Sequence, residues 1–264
     1  MFVWYDEQMR TKILYEDRDV LVIHKPAGLA THTARVGQMD VVSELKNYLA
    51  AENRRRGTAG GPPFLGVVHR LDQPVEGTLV FGKTRHATAQ LTEQLKKGIL
   101  NKHYYAVVCG KPEEKQGRVV DYLVKGDNGM ARVVGEDYPG AKRAISDYEL
   151  LDCKQLEIGA WQEVASRGRQ VDVSLVRVHI LTGRYHQIRM QMSHMGSPIL
   201  GDQKYASGLS QKISESLQIQ NVALCAYHLH FLHPFSEKKM EYTVCPENRA
   251  FTLFQDYFAE NGLY

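Results

Sequence analysis

The stretch GVVHRLDQPVEGTLVFGKT, residues 66–84, sets a carboxylate, Asp72, directly behind a His-Arg pair, with another apolar run, Thr78 to Phe81, soon after. Two readings fit these residue types. Asp72 can cap a turn ahead of Pro74, or it can be a reactive carboxylate held by cationic neighbours. Other candidates for chemistry read less well. In HLHFLH (228–233), His228 and His230 stand at strand spacing with no acid nearby in the sequence, which makes a poor metal site. That segment is expected to be a strand edge without a metal. No G-x-S-x-G occurs, which disfavours a Ser-His-Asp hydrolase. The cysteines Cys109, Cys153, Cys225 and Cys245 lie far apart with no C-x-x-C pair, so they read as small core hydrophobes in a reducing compartment.

The elements that must position Asp72 follow from local pattern. DVLVIHKPAG reads as a strand from Asp19 to His24 closed by a Pro-Ala-Gly turn. DVVSELKNYLAAENRRRG reads as a helix with Asp40 as N-cap, Val41, Leu45, Tyr48 and Leu49 as the buried stripe, and Gly57 as the stop. Arg54 to Arg56 on its last turn suit the helix dipole and an RNA contact equally. GTAGGPP (57–63) is a flexible loop leading into the Asp72 stretch. HATAQLTEQLKKG is a second helix, and NKHYYAVVCGK a strand. From Lys111 to about Gln170 the pattern is short strands and polar turns such as GDNG and YPGAK. QVDVSLVRVHI is a β-branched strand. RYHQIRMQMSHMG then has helical spacing, with Ile188, Met192 and Met195 on one face and His186, Arg189 and Ser193 on another. AFTLFQDYFAENG reads as an amphipathic helix ended by Gly262. Strands and helices mix without regular β-α-β alternation, which favours an α+β fold.

With 264 residues, 43% apolar and 24% charged, the chain can bury a sizeable core. No stretch approaches a membrane span, and the start does not read as a signal peptide. Net charge is only +3, so bulk electrostatics argue weakly for a nucleic-acid partner. Local charge says more. Asn53 to Leu71 holds Arg54, Arg55, Arg56 and Arg70 and no acid, and Val176 to Lys204 holds Arg177, Arg184, Arg189 and Lys204 against Asp202. A cleft lined this way would suit a phosphate chain.

Four segments occur in order: YEDRDVLVIHKPAGL (15–29), HRLD (69–72) with GTLVFGKT behind it, KHYYAVVCG (102–110), and LTGRYHQIRMQMSHMGSPILGDQKY (181–205). Together they closely resemble the RluA-type pseudouridine synthase family, from about Leu14 to Pro234. The resemblance implies a pseudouridine synthase fold: α+β, a mixed, largely antiparallel central sheet with flanking helices and a basic active-site cleft. It implies isomerisation of uridine to pseudouridine in RNA without a cofactor. By position, Asp72 matches the family's catalytic aspartate, Tyr104 the tyrosine of K-x-Y-x-A, and Arg189 the basic residue that pairs with the aspartate. Arg70, His69, Arg184, His186 and Lys25 are the expected RNA contacts, with a surface ion pair an equal reading for Arg70. Thr182-Gly183, ahead of the third-segment helix, fit a phosphate seat and a simple N-cap equally. Gln73-Pro74-Val75-Glu76-Gly77 departs from the basic residue and Thr-Ser-Gly turn common after HRLD, and Cys225 stands where many members have a histidine. The catalytic pattern starts almost at once, so the expectation is a single catalytic domain over residues 1–264 without an N-terminal S4 domain.

The chemistry agrees with these residue types. The isomerisation breaks the C1′–N1 bond, turns the base and joins C1′ to C5. A carboxylate stabilises or traps the positive charge that develops on the sugar. Attack on C1′ and removal of the C2′ proton both remain open for Asp72. An arginine keeps such a carboxylate ionised, a tyrosine stacks on uracil and assists at C5, and the target base must leave its stack. A non-catalytic RNA-binding protein on the same fold and an N-glycosidic hydrolase are the competing readings. The expected partner is ribosomal or transfer RNA. The chain is expected to be a cytoplasmic monomer, with no metal, no membrane association and no obligate protein partner.

Overall fold

A computed structural model describes residues 9–33, 35, 37–57, 61–158 and 169–263. In chain order its elements are β1 (Lys12–Glu16), β2 (Val20–Lys25), α1 (Val41–Arg55), β3 (Gly66–Val67), β4 (Glu76–Gly82), α2 (Arg85–Lys96), β5 (Asn101–Cys109), β6 (Gln116–Lys125), β7 (Ala131–Val134), β8 (Lys142–Ile158), β9 (Arg169–Ile180), α3 (Gln187–His194), α4 (Gly208–Ser216), β10 (Leu224–Leu232), β11 (Lys239–Thr243) and α5 (Gln255–Glu260). The start of the chain, residues 58–60 of the GTAGGPP stretch and residues 159–168 of the middle segment lie outside the described residues. The chain divides into two compact units, Met1–Lys102 with Ala226–Val244, and His103–Cys225 with Cys245–Tyr264.

In the first unit the strand order is β1, β2, β4, β10, β11, with β3 paired to β4. β2 (VLVIHK) and β4 (EGTLVFG) each have a strand on both sides and are buried along their whole length, and a strand covered on both faces reads as a largely apolar run. They pair antiparallel, Ile23 opposite Leu79 and Lys25 opposite Gly77. Gly77 takes φ 130°, and a Cβ there would stand 2.5 Å from the Ala226 backbone, so β4 lies against β10 at a place that admits only glycine. α1 starts where the sequence places it: Asp40 Oδ1 accepts the Ser43 N–H at 2.7 Å. Glu44 on the same helix accepts the Arg10 and Thr11 N–H groups, which ties the β1 entry to α1. Thr84 caps α2. Val20, Val22, Val68, Val80, Leu91, Leu100, Leu229 and Phe231 form one buried cluster.

HLHFLH corrects the expectation of a sheet edge. β10 has β4 on one side and β11 on the other. The acid missing from the local sequence arrives by pairing: His228 Nε2 lies 2.7 Å from Glu241 Oε1. His233 meets Asp17 at 2.9 Å, a contact across 216 residues that local spacing does not reveal. Asp17, Asp19 and His233 bring ligand atoms within 4.8 Å of one another, but the Asp17 oxygens already accept from Tyr15, Asp19 and Val20.

In the second unit the order is β5, β9, β8, β6, β7, and every one of these pairs is antiparallel. The middle segment is more regular than its sequence suggests. β8 runs 17 residues and pairs with both β6 and β9, with a bulge between Leu150 and Asp152. Its mixed polarity arises because β6 alternates exposed and covered side chains, while GDNG and YPGAK are the turns that join β6 to β7 and β7 to β8. The tail also differs from a single helix: Arg249–Phe254 is a 3₁₀ segment capped by Asn248, and α5 follows. Phe251, Phe254 and Phe258 are all buried, and spacing of three then four residues follows the change of helix type. No described helix is long and apolar enough to cross a membrane.

Candidate active site

In the first unit, Asp72 is half-buried on the short loop between β3 and β4. Its own carbonyl accepts the Val75 N–H at 3.1 Å, so a turn does form ahead of β4. The residues on either side of it are tied to the loop that follows β2. The Thr31 hydroxyl donates to the Leu71 carbonyl at 2.8 Å and accepts the Leu71 N–H at 3.1 Å. The Gln73 carbonyl accepts from Gly28 N–H at 2.8 Å and from Lys25 Nζ at 3.2 Å. The Gln73 side chain returns a bond to the Gly28 carbonyl. Asp72 therefore projects from a backbone pinned at both neighbours.

Lys25 corrects one expected RNA contact. It is fully buried, and its ammonium donates to the carbonyls of Pro26 (2.9 Å), Leu29 (2.6 Å) and Gln73. Three donors on three carbonyls leave it none for a ligand. Burial pulls its pKa down to about 7, while Asp72 and Glu76 pull the other way and Arg10 adds to the lowering. Lys25 is thus a cationic neighbour of Asp72, the environment the sharper sequence reading called for. His69 is likewise interior, 6% exposed, with Nε2 accepting the Val80 N–H at 3.3 Å. Burial, and then the Lys102 charge, holds its imidazole well below the usual range. It is a neutral core group, not a surface contact. Arg70 is exposed, as a phosphate contact requires.

In the second unit, Tyr104 is buried on β5 in register with Val178 of β9. Arg189 is 4% exposed on α3. Its Nε and Nη2 donate to Asp202 Oδ2 (2.7 Å) and Oδ1 (2.8 Å), a two-pronged pair in which both side chains are buried. Asp202 is fixed in turn, because Oδ1 also accepts the N–H groups of Lys204 and Tyr205. The Arg189 guanidinium lies 5.3 Å from the Tyr205 ring centroid, a cation–π contact. The Tyr205 hydroxyl accepts the Ala131 N–H at 2.6 Å and lies 2.7 Å from His186 Nδ1. His186, expected on RNA, is buried, stacked on Tyr185, and holds φ 52° at the entry to α3. This is a second correction in kind: His186 serves the Tyr205 wall beside Arg189. Arg184 is exposed and bonded through Nε to the Arg143 carbonyl.

The polar side of α3 is buried too. Gln187 bonds Thr182, Ser146 and the Ile145 carbonyl, and Gln191 bonds Ser146 and Asp121. The Thr182 hydroxyl takes the Ile145 N–H, which gives Thr182 the role of a local clamp. Sequence reasoning missed Thr31, Asp202, Tyr205, Gln187 and Gln191. The LGDQKY segment was part of the resemblance, but nothing local in it says that Asp202 returns to Arg189.

Comparison with known proteins adds the following. A family model described as RNA pseudouridylate synthase matches residues 19–194. A ribosomal large subunit pseudouridine synthase D of Zymomonas mobilis is 34% identical over 238 residues, 88% of this chain and 68% of that protein. An uncharacterized RNA pseudouridine synthase, YhcT, of Bacillus subtilis is 31% identical over 86% of this chain and 65% of its own length. This chain thus spans about two thirds of the length of these relatives. Among solved structures, human RNA pseudouridylate synthase domain containing 4 superposes with a TM-score of 0.68 at 22% identity, covering 92% of this chain and 93% of that one. That likeness bears on the fold, which is the antiparallel α+β arrangement expected from sequence.

Proposed function

The chain belongs to the RNA pseudouridylate synthase family, and we infer from that premise that it isomerises uridine to pseudouridine in structured RNA. The observation that carries the reading is the setting of Asp72: a half-buried carboxylate on a turn pinned at Leu71 and Gln73, with the buried Lys25 ammonium close by. Such a carboxylate is held still and beside positive charge, as a group must be that meets a developing cation on ribose C1′. In this reading Asp72 acts on the sugar, by attack at C1′ or by taking the C2′ proton. Tyr104 faces the uracil and assists at C5. Arg189, fixed by Asp202, is the basic residue of the reaction. Arg70 and Arg184 meet the RNA backbone from the surface.

The isomerisation moves one bond from N1 to C5 and needs no redox partner or energy input, so no cofactor is invoked. Ribosomal RNA is the favoured substrate class, because the Zymomonas relative is named for the large ribosomal subunit. Transfer RNA is the second choice. A monomer acting in the cytoplasm as one catalytic domain completes the reading. The test is to incubate the purified chain with ribosomal and transfer RNA, digest, and compare nucleoside identity and mass. Pseudouridine at unchanged RNA mass is the expected result. Loss of uracil mass would make the protein a glycosidic hydrolase, and binding without either change would make it a non-catalytic RNA binder.

A further inference from the structure

One end of the first unit holds aromatic rings out to solvent on fixed supports. Phe235 is 54% exposed, the most open large apolar side chain among the described residues. It stands on the turn between β10 and β11, and that turn is pinned from below. The buried His233 accepts the Phe235 and Ser236 N–H groups on Nδ1, at 3.4 and 3.2 Å, so Nε2 carries the ring proton and donates to Asp17 at 2.9 Å. The His233 N–H closes the turn on the Lys238 carbonyl. From α2, the exposed His86 ring lies 4.9 Å from the Phe235 ring, centroid to centroid. Its chain neighbour Arg85, also exposed, sets its guanidinium 5.4 Å from the ring centroid of Phe64, itself 39% exposed. Two adjacent residues thus gather two open phenylalanine rings and two basic side chains at one place on the surface.

A single exposed apolar residue needs no explanation, but this grouping does. Arg85 forms no ion pair with any described residue, and it stands with His86 on a first helical turn that carries no acid, where the α2 dipole opposes positive charge. On the Phe235 turn, Lys238 and Lys239 outnumber Glu237, and all three are exposed. We propose that Phe235, His86, Arg85 and Phe64 form a contact for single-stranded RNA, with bases stacked on the phenylalanine rings and the Arg85 guanidinium on a phosphate. The mixture decides the class of partner. The centre of a protein-docking face is depleted of charge, whereas here cations stand between the rings, and a nucleotide offers a π-face and a negative charge side by side. The contact is separate from Asp72. Gly66 of β3 is in register with Gly82, so Phe64 and Arg85 stand at the Gly82 end of β4, while Asp72 precedes the Glu76 end. β4 runs 7 residues, which puts about 20 Å between its ends. That the bound strand belongs to the same RNA as a target uridine rests on the synthase reading above; the contact itself does not.

The experiment uses the full chain and two RNAs. The first is a short oligocytidylate, which holds no uridine to convert. Its affinity is read by fluorescence anisotropy against salt for wild type, Phe235→Leu, Phe235→Trp and Arg85→Gln. Phe235→Leu keeps an apolar side chain and loses the π-face, so affinity should fall about tenfold, while Phe235→Trp should hold it. Arg85→Gln should reduce the slope of log K on log salt by about 0.7, the loss of one phosphate contact on a single strand. Melting temperatures should not move, because these side chains lie at the surface. The second RNA is one that the wild type converts, where Phe235→Leu should raise KM by more than it lowers kcat. An unchanged KM overturns a part in substrate binding. No binding of oligocytidylate by wild type, or wild-type affinity in Phe235→Leu with a wild-type slope in Arg85→Gln, overturns the RNA contact and leaves the rings to a protein partner. A wild type that binds oligocytidylate through these residues and converts no RNA would sink the synthase reading and keep this contact.

Discussion

Around Asp72 the chain holds a charged group with its backbone. The neighbouring peptides are bonded to the Lys25–Thr31 loop, and the carboxylate projects half-exposed from the result. Around Arg189 the chain holds a charged group with side chains. Asp202 takes the guanidinium in a buried two-pronged pair, Tyr205 lies against it, and Gln187 and Gln191 fix the helix below. The difference has a consequence for mutation. The turn that carries Asp72 is made by backbone bonds, which a change of its side chain leaves in place. A side chain inside a buried pair cannot change without stranding its partner.

The largest effect should come from Asp72→Asn. Asparagine keeps the shape, and the turn is made by the residue 72 carbonyl, which the substitution leaves alone. Expected are no detectable isomerisation, an unchanged melting temperature, and RNA affinity within about tenfold, or roughly 1.4 kcal/mol. Multiple turnover by the purified variant would mean that the turn is the whole role of Asp72.

Arg189→Met should remove activity and also about 3–5 kcal/mol of stability, because Asp202 stays buried without its cation. The double change Arg189→Met with Asp202→Leu sharpens the contrast. Replacing both partners with apolar groups should restore part of the melting temperature, since the Lys204 and Tyr205 N–H groups still lose their acceptor, and none of the turnover. Activity that returns with stability would make Arg189 purely structural.

Lys25→Met should act on stability, by about 2–3 kcal/mol, because the Pro26 and Leu29 carbonyls lose the donor they have. It also carries a pH signature. With a folded pKa of about 7 against 10.5, the unfolded chain binds the Lys25 proton more tightly. Stability should therefore rise with pH from about 7 towards 10.5 and lose this contribution as pH falls through 7. Lys102, pulled down to about 8, adds a rise of the same sign, so the difference in slope between wild type and Lys25→Met reports Lys25. Thermal melts across that interval should be flatter in Lys25→Met than in wild type. An equal slope in both would place the titration elsewhere.

The smallest change is Tyr104→Phe, which keeps the ring on β5 and removes only the hydroxyl. Product formation should slow while RNA affinity holds, and Tyr104→Ala should weaken binding by about 1–3 kcal/mol. Single-turnover rates equal to wild type in Tyr104→Phe would leave the ring a stacking role alone.

Much of the fold was present in local pattern. The Asp40 cap, the continuous apolar runs of β2 and β4, the α2 segment and the α3 spacing are each set by residues within a few positions of one another, and the structure realises them. The same locality explains the errors. β10 looked like an edge because its partner β11 carries the acid, and the middle segment looked broken because the alternation of exposed and covered residues along β6 resembles loop polarity.

By itself the sequence determined the family, the order of the motifs and the identity of the groups proposed for chemistry, since those are properties of residue types in short windows. Only the tertiary structure decided which charges are supported and by what. Thr31 reaches Leu71 across 40 positions and Lys25 reaches Gln73 across 48, while Asp202 returns 13 positions to Arg189. Burial decided the rest. It turned Lys25, His69 and His186, all cationic or polar in the sequence and so plausible on RNA, into interior groups, because how much water surrounds a side chain depends on the packing of distant segments and not on its neighbours in the chain.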